Sequence, residues 1–338
     1  MDMDKLRHAA EVLKGGGLVA FPTETVYGLG ADALNETAVR GIFEAKGRPS
    51  DNPLIVHISD KNDVDCLVKE IPSEAGLLMD EFWPGPLTLV MYKSPAVPSI
   101  ISAGLDTVAI RMPSHPVAAA LIRESGLPIA APSANTSGRP SPTIVRHVIE
   151  DLSGRVDIII DAGPANVGLE STVLDVTVTP PLILRPGGIT REQLEGVIHG
   201  VGIDPALSAR HSGNLKPKSP GMKYRHYSPK AEMILIVGGL QDVVGKIRNL
   251  AVDYRDKGRT VGILATEQTK EYYRDFKVIS SGDRQRPETI ASNLFRYLRE
   301  FDSMGVDLIL AEGIESVGIG LAVMNRMSKA AGYNIIKA

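Results

Sequence analysis

The sequence has few of the residues that build cross-links, membrane spans or strongly charged surfaces. Its 338 residues include a single cysteine, Cys66, which excludes an internal disulfide and a four-thiolate zinc site. No apolar run approaches the roughly 18 residues that a membrane-spanning helix needs. The formal net charge is only −3. These absences indicate an ordinary soluble protein of a reducing compartment, and we expect the cytoplasm.

The first residues, MDMDKLRHAAEVLKGGG, predict a short amphipathic helix and not a signal peptide, because charges interrupt each apolar run. The strands expected after it outnumber the helices, and polar residues lie within or at the ends of several of them. This pattern favours a twisted mixed sheet with a cavity over a regular doubly wound one.

A locally basic stretch lies between Pro205 and Ala231. It contains six cations, four prolines and no acidic residue, and its prolines disfavour regular structure. We therefore predict an N-terminal domain over residues 1–204, a linker over 205–230 and a C-terminal domain over 231–338. The linker's aromatic residues, Tyr224, His226 and Tyr227, alternate with cations, which a simple solvated tether does not require.

The C-terminal part alternates apolar strands with amphipathic helices, beginning with AEMILIVGG and QDVVGKIRNLAVDYRDKG. This alternation predicts a small Rossmann-like unit with a parallel sheet. Its strand-to-helix turns contain neither GxGxxG nor GxxxxGK[ST], so we assign it no catalysis.

Two phosphate-binding motifs are nearly present in the N-terminal part. GLGADA, from Gly28 to Ala33, matches GxGxxA, but the polar segment PTETVY precedes it where a dinucleotide-binding fold has an apolar strand end. GPANVGLEST has the glycine spacing of a P-loop, but Leu169 replaces the lysine. We expect neither motif to bind phosphate in the usual way.

A set of polar residues at predicted strand ends remains. Alone, each is explained as a turn residue or a hydrogen-bonded core residue. Together they indicate a ligand site, because Arg111 and His57 lie within apolar strands, where a charge or imidazole needs a partner. Lys46 and Arg48, two positions apart, suit an anion such as a phosphate. The set comprises Thr25, Lys46, Arg48, Asn52, His57, Thr107, Arg111, Ser133, Asn135, Ser141, Ser171 and Arg185.

Six blocks of the chain resemble the YrdC-like threonylcarbamoyl-AMP synthases in their long, two-domain form. They are PTETVYGLG, KGRPSDNPLIVHI, APSANTSG, GLESTVLD, ILRPGGIT and SPGMKYRHYSPK, in the order of the family. The resemblance covers nearly the whole chain. It implies a YrdC-like catalytic domain with a basic cavity, a tyrosine-containing linker and a Rossmann-like C-terminal domain.

The resemblance also implies a nucleotidyltransferase reaction. L-threonine, bicarbonate and ATP, with Mg²⁺, would give threonylcarbamoyl-adenylate, diphosphate and water. The product would pass to a tRNA threonylcarbamoyl transferase complex that modifies tRNAs reading codons that begin with A. No covalent nucleophile is required.

Site residues are implied position by position. The Lys-x-Arg and Ser-x-Asn elements match Lys46, Arg48, Ser133 and Asn135, which would form the catalytic site. The ATP side matches Arg48, Asn52, Thr107, Ser133, Ser141, Arg185 and Tyr224. The threonine side matches Thr25, His57, Arg111, Ala131 through its backbone, and Ser171. The linker would close over the site as a lid.

Two other functions stay open on the sequence alone. A basic cavity and linker would also suit a module that binds double-stranded RNA or tRNA without catalysis, and such binding would weaken steeply with salt. Carbamoyl transfer, as in hydrogenase-maturation relatives with a similar domain, is disfavoured because the zinc-finger and acylphosphatase segments of those proteins are absent from this sequence. We also expect no contact with a membrane.

Overall fold

The computed structural model describes residues 2–207 and 226–338. Two compact units contain them: the first holds the residues up to 207 except 138–140, and the second holds residues 226–338 with 138–140. The predicted boundaries of the linker stay a prediction, and residues 208–225 lie outside the described part. None of the described helices is long and apolar enough to cross a membrane.

The first unit is built on one ten-stranded mixed sheet. Its strand order is β10-β9-β8-β4-β5-β3-β6-β2-β1-β7, with parallel and antiparallel pairs side by side. This arrangement confirms the predicted mixed α/β fold. The strands are β1 (Val19–Phe21), β2 (Gly28–Asp32), β3 (Ile55–His57), β4 (Leu87–Tyr92), β5 (Thr107–Arg111), β6 (Ile129–Ala130), β7 (Ile158–Ile159), β8 (Thr172–Asp175), β9 (Leu182–Arg185) and β10 (Gly202–Ile203).

Helices pack apolar side chains against this sheet. The main core joins strand residues such as Val56, Leu89 and Ile110 to helix residues such as Ile42 and Leu78. A separate cluster packs α1 and α6 against β1 and β6. The helices are α1 (Met3–Lys14), α2 (Glu36–Lys46), α3 (Val64–Leu67), α4 (Ser73–Phe82), α5 (Ser99–Ser102), α6 (Pro116–Ser125), α7 (Val145–Leu152) and α8 (Arg191–Glu195).

Some strand residues form an apolar cluster apart from the main core. Ile55, Val90, Ala109, Val173 and Leu184 pack together on β3, β4, β5, β8 and β9. Side chains alternate between the two faces of a strand, so Thr107 and Arg111 share a face with Ala109. In the same way His57 shares a face with Ile55, and Thr88 with Val90. Polar residues therefore lie at the ends of this apolar surface.

The second unit contains a five-stranded sheet in the order β13-β12-β14-β11-β15, and all its pairs are parallel. This confirms the predicted Rossmann-like unit. Its elements are β11 (Glu232–Val237), α9 (Leu240–Asp256), β12 (Val261–Ala265), β13 (Lys277–Ser280), α10 (Pro287–Met304), β14 (Leu308–Glu312), α11 (Ile319–Ala330) and β15 (Ile335–Lys337). Short 3-10 turns occur at Lys61–Asp63, Pro205–Leu207 and Lys270–Tyr273.

Tyr227, at the C-terminal end of the predicted linker, packs within the second unit. Its ring is 5% exposed and stacks on Phe295, with 5.0 Å between the ring centroids. The Arg326 guanidinium lies over the same ring at 5.5 Å. Tyr227 therefore anchors this end of the linker, and only Tyr224, outside the described residues, keeps its predicted role as part of a lid.

Candidate functional site

Lys46 and Arg48 lie on the two sides of the residue that ends α2. Asn35 caps α2 by accepting hydrogen bonds from the N–H groups of Thr37 and Ala38. The helix ends at Gly47, whose φ of 59° is left-handed and suits glycine. Lys46 then lies in the last turn of α2, and Arg48 lies beyond it, where its Nη2 donates to the Asn52 backbone oxygen at 3.0 Å.

The Lys46 ammonium group binds the segment that carries Ser133 and Asn135. Its Nζ donates to the backbone oxygen of Ser133, and to the backbone oxygen of Asn135 at 2.7 Å. The Asn135 Oδ1 is 3.5 Å away and also accepts from the Ser133 hydroxyl at 2.5 Å. The predicted Lys-x-Arg and Ser-x-Asn elements therefore meet through direct hydrogen bonds.

Burial controls the charge of Lys46. The side chain is 2% exposed. Desolvation, and then the nearby Arg48 charge, hold its pKa well below the usual value, although Asp151 acts in the opposite direction. Asp151 also accepts a hydrogen bond from the Thr136 N–H, at 3.2 Å, and so supports the same segment.

Arg111 is the centre of a second buried cluster. Its Nη1 donates to the Thr25 hydroxyl at 2.9 Å, and its Nε donates to the Gly85 backbone oxygen at 3.2 Å. Its Nη2 lies 2.7 Å from Glu24 Oε1, with both side chains below 10% exposure. Sequence reasoning predicted Thr25 and Arg111 but missed Glu24.

His57 lies beside Arg111 at the ends of two parallel strands, since the register of β3 and β5 pairs these two residues. Its Nδ1 is 3.3 Å from the Ile55 backbone oxygen. Burial and the Arg111 charge lower the pKa of His57 to about 3. The imidazole is therefore neutral near pH 7 and can exchange hydrogen bonds with a ligand without adding charge.

A row of hydroxyls connects Arg111 to Arg185. The register of β4 and β5 places Thr88 opposite Arg111. The Thr88 and Ser171 hydroxyls are 2.7 Å apart, and Arg185 donates to both the Ser171 hydroxyl and its backbone oxygen at 3.0 Å. The structure therefore joins the predicted Ser171 and Arg185 by hydrogen bonds and places the predicted Arg111 opposite Thr88 on the neighbouring strand. Thr88 was not predicted as a site residue. Its position as a polar residue within the apolar strand PLTLVMY could have identified it.

Ser141 and Glu170 form a further polar pair, in which the Ser141 hydroxyl donates to Glu170 Oε1 at 2.5 Å. Both residues are below 10% exposure. Glu170 precedes Ser171 in the chain, so this pair adjoins the row of hydroxyls. Glu170 was not predicted, although it lies within the GLEST block.

Thr107 and Ala131 complete the predicted set among the described residues. Thr107 begins β5, four positions before Arg111, which corresponds to about 13 Å along a strand. The Ala131 N–H donates to the Ile55 backbone oxygen, which places it beside β3. The predicted Tyr224 lies outside the described residues.

One cavity of about 720 Å³ lies away from these residues, between the start of α1 and the edge strand β7. Leu6, Val117 and Ile158 to Ile160 line it, and none of the predicted site residues does. The predicted basic cavity stays a prediction, and we place the site by its hydrogen-bonded side chains.

Two family models match successive parts of the chain, and the second begins within the first unit of the structure. Residues 11–187 match the family model described as telomere recombination, which covers YrdC-like domains. Residues 189–332 match the model described as the C-terminal domain of threonylcarbamoyl-AMP synthase.

Full-length relatives and a solved structure are similar over nearly the whole chain. The threonylcarbamoyl-AMP synthase of Pyrococcus abyssi is 53% identical over 98% of this chain and 96% of the relative. That of Bacillus subtilis is 52% identical, over 98% and 94%. The crystal structure of P. abyssi Sua5 complexed with L-threonine superposes with a TM-score of 0.95 at 52% identity, covering 100% of this chain and 97% of that one.

Proposed function

Because the chain belongs to the threonylcarbamoyl-AMP synthase family, we propose that the residues around Lys46 and Arg111 form the site where L-threonine, bicarbonate and ATP react. The products are threonylcarbamoyl-AMP, diphosphate and water. One observation carries the assignment to these residues. A single strand, β5, has the predicted nucleotide residue Thr107 and the predicted amino-acid residue Arg111 on the same face, with apolar side chains between them.

The amino-acid end of the site is the Arg111 cluster. Arginine binds a carboxylate through paired N–H groups, so Arg111 suits the threonine carboxylate. The neutral His57 and the Ser171 hydroxyl suit the remaining polar atoms of threonine. The amine, once deprotonated, adds to the carbon of bicarbonate, water leaves, and a carbamate forms.

The nucleotide end must bind phosphates and stabilise the charge that develops on them. One oxygen of the carbamate attacks the α-phosphorus of ATP, and diphosphate leaves with its bonding electron pair. Arg48 and Arg185 supply positive charge for these oxygens. The Ser133 hydroxyl, which donates to Asn135 Oδ1 in this structure, would turn to a phosphate oxygen as a further donor. The apolar surface of Ile55, Val90 and Ala109 suits the face of a base.

Mg²⁺ is the metal we propose to enter with ATP. No group of three or more metal-binding side chains occurs within residues 2–207 and 226–338. This fits magnesium, which usually takes one or two carboxylates and completes its shell with phosphate oxygens and water. Glu170, paired with Ser141, is the carboxylate that would hold it. Magnesium neutralises phosphate charge when bound.

The product is a mixed anhydride that water hydrolyses readily. We propose that the linker, through Tyr224, closes over the site to exclude water, and that a tRNA threonylcarbamoyl transferase complex receives the product in the cytoplasm. Weak binding of RNA by the basic linker also stays a prediction. The exposed, unbonded Cys66 supports a reducing compartment.

A diphosphate-release assay tests this function. The chain should release diphosphate from ATP only when L-threonine and bicarbonate are both present. Arg48→Ala should lower kcat/KM for ATP at least about tenfold, because it removes a charged partner of phosphate. Arg40→Ala is the matched control, since Arg40 is exposed on α2 and pairs with the exposed Glu36 at 3.7 Å. Threonine-independent release, or full activity of Arg48→Ala, would contradict the assignment.

A further inference from the structure

Glu24 is a buried carboxylate for which the reaction described above provides no role. It lies between β1 and β2 and is 6% exposed. Within the described part of the chain, neither of its oxygens accepts a well-aligned side-chain hydrogen bond. Its one charged contact is Arg111, whose Nη2 is 2.7 Å from Oε1 but is poorly aligned for a hydrogen bond. The backbone N–H groups of Glu24 and Ser114 also stabilise this carboxylate, but Arg111 is the positive charge that compensates it.

The contacts of Arg111 given above use only some of its N–H donors. A guanidinium has five N–H donors. Thr25 and Gly85 each accept from one of them, and Glu24 neutralises the charge. The donors that a carboxylate ligand needs are therefore on the same side chain that Glu24 contacts.

The groups around this pair leave it with no net charge. His57, on β3, is neutral because burial and Arg111 lower its pKa to about 3. His115, which caps α6, is also near Glu24, and burial lowers its pKa. Burial alone would raise the pKa of Glu24, but the Arg111 charge and hydrogen bonds from Arg111 and from the backbone N–H groups of Glu24 and Ser114 together outweigh burial and lower the pKa, so the carboxylate is ionised at neutral pH.

We propose that the Glu24–Arg111 ion pair is exchanged for two new ion pairs when the amino acid binds: Arg111 takes its carboxylate, and Glu24 takes its ammonium group. This inference rests on the proposed function, which supplies a zwitterionic substrate. The exchange leaves every buried charge with a partner, both before and after binding.

The exchange explains how one site can distinguish a zwitterionic amino acid from the two anionic substrates, bicarbonate and ATP. A bicarbonate ion or a phosphate group that reached Arg111 would displace Glu24 and leave that buried carboxylate without a compensating positive charge, which is costly. Only a ligand that carries both charges avoids this cost. Glu24 therefore reserves Arg111 for an α-amino acid with both its ammonium and its carboxylate free.

Two half-ligands, each with one of the two charged groups of threonine, test the two new contacts one at a time. (3R)-3-hydroxybutanoate has the carboxylate of threonine without its ammonium group, and L-threoninol has the ammonium group without the carboxylate. Dissociation constants for both are measured by calorimetry with the wild-type chain and with Glu24→Gln, which removes the charge and keeps the shape. Glu36→Gln, at an exposed position of α2, is the control.

The exchange predicts shifts of opposite sign. Glu24→Gln should bind (3R)-3-hydroxybutanoate at least about tenfold more tightly than wild type, because the ligand no longer displaces an anion from Arg111. The same variant should bind L-threoninol at least about tenfold more weakly. Shifts in one common direction, reversed shifts, or no shift would overturn the exchange.

The outcome can be distinguished from failure of the proposed function. If wild type binds L-threonine and forms the adenylate while the half-ligands do not shift as predicted, the exchange alone is wrong. If wild type does not bind L-threonine, the function is wrong. Should Glu24→Gln fail to fold, wild type provides the test: methylammonium should tighten (3R)-3-hydroxybutanoate binding relative to sodium at equal ionic strength, and equal binding would overturn the exchange.

Discussion

The Nζ of Lys46 and the backbone oxygen of Asn135 are 2.7 Å apart, although 89 positions separate the two residues in the chain. This contact ties the end of α2 to the segment after β6. It gives Lys46 a positioning role in addition to the predicted role near phosphate. A lysine that holds two backbone oxygens contributes to folding as well as to activity.

Lys46→Met tests this positioning role. The variant leaves two buried backbone oxygens without their donor, and each unsatisfied group costs about 1–3 kcal/mol. We expect the free energy of unfolding in urea to fall by about 2–6 kcal/mol, together with kcat/KM for ATP. Lys61→Met is the control, because Lys61 pairs with an exposed Asp80, and it should change stability by less than about 0.5 kcal/mol. Wild-type stability of Lys46→Met would contradict the role.

The lowered pKa of His57 predicts that the stability of the fold depends on pH. Folding lowers its pKa from the ordinary value of 6.5 to about 3. The unfolded chain therefore binds a proton more readily than the folded one, so the contribution of His57 is complete above pH 6.5 and is lost as the pH falls toward 3. Between pH 7 and pH 5 we expect the free energy of unfolding to fall by about 2 kcal/mol from this residue.

His57→Gln should remove that part of the slope, measured by urea unfolding at each pH. His8→Gln, at an exposed position of α1, is the matched control and should leave the slope as in wild type. An identical slope in wild type and His57→Gln would show that the imidazole is not held neutral by burial.

Thr88→Val tests the row of hydroxyls between Arg111 and Arg185. The substitution keeps the branched shape and removes the hydroxyl that lies 2.7 Å from Ser171. With Ser171 less constrained, kcat/KM for L-threonine should fall about five- to tenfold, the effect of one hydrogen bond of about 1 kcal/mol or slightly more. Steady-state kinetics measure this, with the exposed Thr37→Val as the control. No difference between the two variants would remove Thr88 from the site.

Tyr227→Ala should destabilise the second unit. The ring is 5% exposed and stacks on Phe295, and truncation of a buried aromatic residue typically costs about 3–5 kcal/mol. Tyr272→Ala is the control, since that ring is 50% exposed. Calorimetric unfolding of the full chain should show the loss only for Tyr227→Ala. Equal stability of the two variants would contradict the anchoring role of Tyr227.

The regular elements of the fold could be predicted because their signals are local. Helix α2 begins at a capping asparagine and ends at a glycine, and α9 and β11 follow apolar periods of helix and strand. Strand β2 could not be predicted from its glycines. Gly30 is needed there because a side-chain carbon would lie 2.7 Å from the Phe21 ring, a contact across the β1–β2 pair.

The candidate site could be predicted only as a set of residue types. The motifs identify Lys46, Arg48, Ser133 and Asn135 as site residues. They do not predict which atoms these side chains contact. Glu24 was missed because its partner, Arg111, is distant in sequence and follows no periodic pattern with it. The short strand β9, which presents Arg185, was missed because two prolines precede it and a third follows.

The central claim is that one site joins all three substrates. The most direct measurement is to incubate the chain with ATP, L-threonine and isotopically labelled bicarbonate, and to analyse the nucleotide products by mass spectrometry. We predict a threonylcarbamoyl-adenylate that carries a single labelled carbon and forms in equal amount with diphosphate. Release of diphosphate without a labelled adenylate, or an adenylate without label, would contradict the account.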